Sequence, residues 1–516
     1  MIKNCCCRFC LEMRRETVVL TQPVASRLMR VVATPVGMVS RPLPLLTSWS
    51  RLGSGVRTTY TMRDILAHPH RLHPKNTCLA FEDQRYTFER FDRRTTAVAC
   101  AMKHVFGVRR CDHVAVLSPN DPRYVEMYYA NAKLGAVTCP AVHLFSRTEL
   151  TNVINNTLAR VLVVHETMIP TLMDIKPSLR HVQHMVSLSS KVGTARKSHL
   201  STSPSSSYAF HDYDELVNKF DEGKVKELEE EEISETDIAT MFITSGTTGF
   251  PKAAAYSHRA VVALVSRNLF RFTPQSVICL TNLCAWIGSV DLIASIFAAG
   301  GKAVLLGSND FEGYIEAMLQ HGATHALFMP GVMHSFARLD PHTKQRIAEK
   351  LQVMVYVGGT IPVRVLQQVI KSLPNTAIIQ TYGLTECVGV TALTEDDHPQ
   401  NPSVQQLKRL ESCGRLLFEA KLKIVGKDGS ECGPEEEGEI VVKTPNMMSG
   451  YFNQPHETMA VLKNGWFHTG DVGYVDHEGY LFLLSRIKDV INPPSGLSLL
   501  FSSLFCPRYG KDRTRR

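Results

Sequence analysis

The chain has 516 residues, 44% of them hydrophobic and 21% charged, an ordinary globular balance with core enough for about two to four domains. Its formal net charge of +8 is small for this length and lies partly in the first segment, which argues against nucleic-acid binding. No apolar run reaches membrane-spanning length, since the best candidate (residues 289–307) carries Asp291 and Lys302, so the chain reads as soluble.

The first segment is unlike the rest. Cys5, Cys6, Cys7 and Cys10 sit together in "CCCRFC", but one CxxC pair falls short of the four ligands of a structural zinc site. The other cysteines are singletons among apolar residues, where they serve as small hydrophobes. Arg27, Arg30, Arg41, Arg51, Arg57 and Arg63 follow with no acidic residue and no lysine between Thr17 and Arg63. An Arg-rich, acid-free, Ser-containing leader resembles a mitochondrial presequence, although its prolines interrupt the helix such a leader forms. The other reading is a disordered tail or translated upstream sequence, leaving a cytoplasmic protein. Residues 1–59 are therefore expected to be a disordered leader. His68, His70 and His73 in "HPHRLH" read as solvated polar surface in a Pro-containing loop.

From residue 60 an α/β rhythm sets in. "HVAVL" is a buried strand by pattern, and "PRYVEMYYANAKLGA" a helix with Val125, Tyr128, Tyr129 and Ala132 on one face and Gly135 at its end. "VTCPAV" is a second strand, "SRTELTNVINNT" a capped helix and "ARVLVVHE" a third strand. This alternation predicts a parallel sheet of βαβ units. Residues 188–207 form a Ser-rich connector and "KELEEEEISETD" a solvated acidic helix face. Alternation resumes at "IATMFITS". Beyond Gly414 the pattern turns to short strands, with hairpin turns at "KDGS" and "DHEG".

"TSGTTGFPK" (residues 244–252) follows the strand-like "MFIT" and precedes "AAAYSHRAVVALVSRNL", read as partly helical. A Gly/Ser/Thr loop between strand and helix can converge backbone N–H groups on a phosphate. Gly246 and Gly249 permit close approach, Ser245, Thr247 and Thr248 add hydroxyls, and Lys252 adds charge. A P-loop needs Lys directly after Gly and then Ser or Thr. Here Pro251 precedes Lys252 and Ala253 follows, so that reading fails.

The loop resembles the signature of the adenylate-forming (AMP-binding) superfamily, which includes acyl-CoA synthetases, 4-coumarate–CoA ligases, firefly luciferase and peptide-synthetase adenylation domains. Further motifs occur in the family's order: "KLGAV" (Lys133 to Val137), "VGGTIP", "TYGLTE", "GWFHTGDVG" and "SRIKD". The resemblance implies an α/β fold with a large N-terminal adenylate-forming domain of βαβ sheets plus a distorted β-barrel subdomain, here residues 60–484. It implies that Thr244 to Gly249 and Lys252 meet phosphate, and that Gly358, Gly359 and Thr360 lie along adenine. Thr381, Tyr382 and Gly383 bind the nucleotide, with Tyr382 packing on the base. Thr385 contacts phosphate and Glu386 holds Mg²⁺. Asp471 grips both ribose hydroxyls and Arg486 the ribose. Lys488 falls at the hinge (485–492).

The implied reaction is ATP-dependent acid–CoA ligation. A carboxylate attacks the α-phosphate to give an acyl-adenylate and pyrophosphate, and coenzyme A then displaces AMP. No protein nucleophile is needed, only alignment and charge neutralisation. The acyl pocket is expected near "LTNLCAWIGSVDLI", with Trp286 either as its gate or as a buried core residue. The apolar surroundings suit an aliphatic or aromatic acid, and overall resemblance points to a medium-chain fatty acid. Asp291 leaves the exclusion of an amino acid incomplete. After Asn492 the resemblance stops, and residues 493–516 do not match the family's small mobile C-terminal domain, which is expected to be missing. The alternative reading is therefore a truncated pseudoenzyme that binds ATP, an acyl ligand or a full-length partner without completing the thioester.

Overall fold

Buried β-branched runs alternate with amphipathic stretches along the chain, and they assemble into three sheets. The computed structural model describes residues 60–188, 210–220, 228, 232–244, 251–267, 269–308, 310–417 and 419–487. The leader with its four clustered cysteines, most of the Ser-rich connector, Ser245, Gly246, Thr247, Thr248, Gly249, Lys488 and the tail lie outside the described residues.

An eight-stranded sheet has five parallel strands at one side: Val137–Ala141, His113–Leu117, Val161–His165, His184–Leu188 and Phe210–Asp212. Ile238–Thr244 extends it beyond Val137–Ala141, and Lys252–Ser257 and Gly450–Tyr451 then pair antiparallel at its end. A nine-stranded sheet carries a parallel run through Lys302–Leu305, Val277–Leu280, His325–Phe328, Val353–Tyr356 and Ala377–Leu384, closed by antiparallel Cys387–Leu393. A five-stranded antiparallel sheet follows, centred on Gly438–Lys443 and Trp466–Val475. This is the α/β architecture that the motif order implied.

Local chemistry explains the element ends. Helix Pro122–Leu134 starts on an Asp121 side-chain cap with Pro at its first turn and stops at Gly135, whose φ of 66° is left-handed. Helix Arg147–Asn156 begins with a Ser146/Glu149 capping box. "DHEG" turns between Trp466–Val475 and Leu481–Arg486, with Gly479 at φ 85° donating to the Asp476 carbonyl.

Helices Phe88–Phe106, Pro122–Leu134 and Ile287–Ala298 share the main core. There the Phe297 ring meets Phe91 edge-on at 5.4 Å and stacks on Tyr129 at 5.8 Å. Helix Ile287–Ala298 is buried along nearly its whole length, which is why its sequence looked membrane-like. Among the described residues, no helix is long and apolar enough to cross a membrane.

Two local expectations are corrected. "HPHRLH" is not a solvated loop: residues Asp64–Leu72 form a helix containing Pro69, with His68 buried beside Ile65 and Leu66. Packing of that apolar face offsets the hydrogen bond that Pro69 cannot donate. Burial, the larger cause, and the nearby Arg71 hold His68 below its ordinary value. Of the nine cysteines in the described residues, Cys111 and Cys432 are only half-buried; the other seven are core, as small hydrophobes should be.

Candidate active site

Lys252 opens a strand. Thr244 and Lys252 are register partners, so the glycine-rich loop connects two antiparallel strands and not a strand to a helix. The helix begins only at His258, capped by the Ser257 side chain. The alanine run 253–255 is helix-favouring by propensity, yet these residues are fully buried between Ile238–Thr244 and Gly450–Tyr451, where small side chains let the strands sit under covering layers. Tertiary context wins, and the element that follows the loop in sequence is a strand, with the helix starting only at His258.

The Lys252 ammonium lies 5.0 Å from the centre of the Tyr451 ring and pairs with the Glu457 carboxylate. Tyr451 in turn donates from its hydroxyl to Glu386 Oε1 at 2.6 Å. Burial, then Glu386 itself, pushes the Tyr451 hydroxyl far above its ordinary value, so it remains a donor. Glu386 is buried, and burial raises its carboxyl above 4.5 although the Tyr451 hydroxyl, Arg486 and Lys252 pull the other way.

Glu386 and Thr385 form the two-residue turn between Ala377–Leu384 and Cys387–Leu393, since Leu384 and Cys387 are register partners. Donors from elsewhere fix the carbonyls around this turn. Tyr256 donates to Thr385 (2.6 Å), the Met448 amide to Glu386 (2.9 Å), and Arg267 and Asn446 to Val388 (2.7 and 2.6 Å). Arg267 also donates to the Gly389 carbonyl at 2.5 Å. Its guanidinium lies 3.8 Å from Asp291, whose other contact is the Ser295 hydroxyl. Burial lowers Arg267 and raises Asp291, each partly offset by its partner. Asp291 is thus committed to an internal ion pair.

Tyr382 is buried and donates to Asp471 Oδ2 at 2.7 Å, while Arg486 Nε lies 3.0 Å from Oδ1. Gly358, Gly359 and Thr360 form an exposed turn after Val353–Tyr356, beside the strand that carries Thr381, Tyr382 and Gly383. Gly358 has φ 85°, and a Cβ there would come within 3.0 Å of Met329. Gly383 passes so close to the neighbouring strand that a Cβ would meet the Gly389 nitrogen at 2.4 Å.

Three sheets therefore meet at one place. Lys252 and Tyr451 come from the eight-stranded sheet, Tyr382 and Glu386 from the nine-stranded sheet, and Asp471 and Arg486 from the five-stranded sheet. Sequence reasoning missed Tyr451, Glu457, Tyr256, Arg267 and Asn446. Trp286 precedes helix Ile287–Ala298 and is 39% exposed, which overturns its reading as a buried core residue. A cavity of about 500 Å³ between helices Phe311–His321 and Pro341–Ala348 is lined by Ile315, Leu319 and Arg346 and by none of these site residues.

A buried carboxylate whose charge is disfavoured by burial, next to a lysine suited to phosphate, fits a hard divalent cation completed by substrate oxygens. Glu386 would hold such an ion. Among the described residues no group of three or more His, Cys, Asp or Glu could by itself hold a metal ion.

The AMP-binding enzyme family model matches residues 66–452. The chain is 28% identical over 442 residues to the 2-succinylbenzoate–CoA ligase of Bacillus mycoides (strain KBAB4), covering 84% of this chain and 79% of that one. It is 25% identical over 444 residues to a feruloyl-CoA synthase from an Amycolatopsis species, covering 82% and 77%. Among solved structures, the N-terminal domain of FACL13 from Mycobacterium tuberculosis superposes with a TM-score of 0.69 at 21% identity, covering 83% of this chain and 99% of that one. At that identity the superposition speaks for the fold alone.

Proposed function

The chain belongs to the AMP-binding enzyme family, and from that premise we propose that it is an ATP-dependent acid–CoA ligase. The observation that carries the reading is the convergence of Lys252, Glu386 and Asp471 from three different sheets, in a chain whose similar proteins bear the names of CoA ligases.

In the proposed first half-reaction a substrate carboxylate oxygen attacks the α-phosphorus of ATP. The bond to pyrophosphate breaks, leaving an acyl-adenylate. Lys252, held at the loop's end, neutralises phosphate charge, and Thr385, on the turn that carries Glu386, offers a hydroxyl to phosphate. Mg²⁺ on Glu386 would supply further charge neutralisation. Tyr382 flanks the base while its hydroxyl steadies Asp471, which receives the ribose as Arg486 gives way or rotates to share it. In the second half-reaction the coenzyme A sulfur attacks the acyl carbon, AMP departs and the thiol proton goes to solvent.

We take the acid to be a medium-chain fatty acid. Two observations support an apolar, uncharged acyl group: Trp286 is partly exposed and followed by apolar Ile287 and Val290, and Asp291 is engaged by Arg267. The mitochondrial location belongs to the same proposal, supported by the Arg-rich, acid-free leader.

Acid-dependent exchange of pyrophosphate into ATP, followed by thioester formation with coenzyme A across a series of acids, tests the reading. Lys252→Met should reduce exchange by roughly 10²-fold or more, the scale of losing one transition-state donor. Exchange that persists in Lys252→Met would refute the site.

A further inference from the structure

Asn120 sits where the two large sheets meet. It follows strand His113–Leu117 of the eight-stranded sheet and immediately precedes Asp121, whose side chain caps helix Pro122–Leu134. A strand end and a helix start thus fix its backbone from both sides. The residue is buried, and its side chain reaches the nine-stranded sheet. The amide nitrogen donates to the Asn282 and Leu306 carbonyls at 3.1 Å each, with the Thr281 carbonyl at 3.4 Å. The amide oxygen accepts from the Cys284 N–H at 2.8 Å. Thr281 and Leu306 lie just past the ends of the adjacent parallel strands Val277–Leu280 and Lys302–Leu305. Turned over, the amide would set its oxygen against three carbonyls and its amino group against an N–H, so only this orientation is satisfied.

Cys284 is held at a second point. The Tyr128 hydroxyl, from helix Pro122–Leu134, donates to the Cys284 carbonyl at 2.9 Å. The amide and the carbonyl of Cys284 are both committed to side chains from residues 120–128. Two residues on stands Trp286, whose amide donates to the Leu283 carbonyl at 3.0 Å and closes the turn. Trp286 opens helix Ile287–Ala298 without a side-chain capping bond. The backbone that carries its indole is therefore placed by Asn120 and Tyr128.

We propose that Asn120 and Tyr128 are positioning residues that set where Trp286 stands, and through it the length of acid that is accepted, an inference that rests on the acyl-pocket reading above. They act through the Cys284 backbone and tie one wall of the pocket to the rigid ends of two sheets. A misplacement of about 1 Å can cost on the order of 10²-fold in rate. One methylene in an apolar pocket is worth roughly 10- to 200-fold in discrimination. A loosened turn is accordingly felt as blurred length selection.

The test uses the full chain carrying Trp49→Phe and Trp466→Phe, which leaves Trp286 alone of the three tryptophans. Asn120→Leu nearly keeps the side chain's shape without its polar atoms, and Tyr128→Phe is the milder change. Each is compared with the parent by urea midpoint, by Trp286 emission and its quenching by acrylamide, and by kcat/KM for thioester formation across straight-chain acids. Each variant that folds should change the emission and quenching of Trp286. Each should also lower discrimination between the best acid and the one two methylenes longer by roughly 10-fold. Added to Trp286→Ala, neither should alter the length profile further. Emission or a length profile that stays as in the parent overturns the inference and leaves the acyl-pocket reading standing, as does a kcat lowered equally for every acid. A changed profile that persists in the Trp286→Ala background also overturns it, since the effect would not pass through the indole. If Asn120→Leu does not fold, Tyr128→Phe decides alone. If Trp286→Ala by itself leaves the profile unchanged, the acyl-pocket reading fails and this inference fails with it.

Discussion

The Tyr382 hydroxyl donates to Asp471 Oδ2 across 2.7 Å, and this one contact ties the nine-stranded sheet to the five-stranded one at the candidate nucleotide site. Both residues are buried, and Arg486 approaches the other carboxylate oxygen from the strand paired with Asp471. Tyr382 and Arg486 thus both support the Asp471 charge.

Tyr382→Phe removes one of those donors and leaves the carboxylate in place. The expected loss is about 1.5–3 kcal/mol, the range for a hydrogen bond to a charged group, read as a lower urea midpoint with unchanged slope. Burial first, and Asp471 second, raise the Tyr382 hydroxyl well above its ordinary 10.0. A raised native value stabilises below the unfolded value and is lost as pH climbs past it. The gap between wild type and Tyr382→Phe should accordingly be full at neutral pH and narrow above pH 10. A constant gap through that range would contradict the assignment.

Glu386→Gln should separate stability from activity. Burial lifts the Glu386 carboxyl above 4.5, so its ionised form destabilises the fold. The sign follows: the native state holds this proton more tightly, so stability from this group falls as pH rises through 4.5 and stays low at neutral pH. Gln keeps an oxygen for the Tyr451 hydroxyl and carries no charge. At pH 7 the variant should melt no lower than wild type, and higher if nothing else moves, while acid-dependent pyrophosphate exchange disappears. A variant that melts well below wild type would mean that Glu386 is chiefly structural.

Much of this was legible in the sequence, and the limits are physical. Residue periodicity and caps gave the elements around His113–Leu117, Pro122–Leu134 and Arg147–Asn156, because each is decided by neighbours a few positions away. Tyr382, Glu386 and Asp471 stood in motifs, and the structure brings them together. The strand Lys252–Ser257 was misread because alanine favours helix until a sheet encloses it on both sides. Tyr451 and Glu457 lie about two hundred positions from Lys252, in a stretch with no phosphate-like pattern, and only pairing of Tyr451 with Ala254 brings them there. Arg267 was illegible for the same reason: its partners Val388 and Gly389 are joined to it by the fold alone.

Arg267→Met should be costly in a particular way. It takes the guanidinium from the buried Asp291 carboxylate and one donor each from the Gly389 carbonyl and the Val388 carbonyl, which keeps Asn446, behind the Thr385–Glu386 turn. Breaking one side of a buried pair costs about 3–5 kcal/mol. Adding Asp291→Leu removes the orphaned charge and should recover part of that loss, but not the part due to Val388 and Gly389. Exchange activity should stay low in the double variant even as its denaturation midpoint rises. Full recovery of both would show that the guanidinium does not position the turn.

Trp286 offers the sharpest test of the acyl pocket, because its two readings predict opposite things. A core tryptophan cut to alanine costs about 3–5 kcal/mol. Trp286 is 39% exposed and caps the helix Ile287–Ala298 without a side-chain hydrogen bond, so its loss should cost far less, within about 1 kcal/mol. If the indole closes the acyl pocket, removing it lengthens the space available to the substrate. Each extra methylene that fits is worth ~1 kcal/mol or more in specificity. Thioester formation by Trp286→Ala across straight-chain acids of increasing length should shift its kcat/KM optimum toward longer chains, with KM for the shorter ones rising. An unchanged length profile in a stable variant would move the acyl site away from this helix.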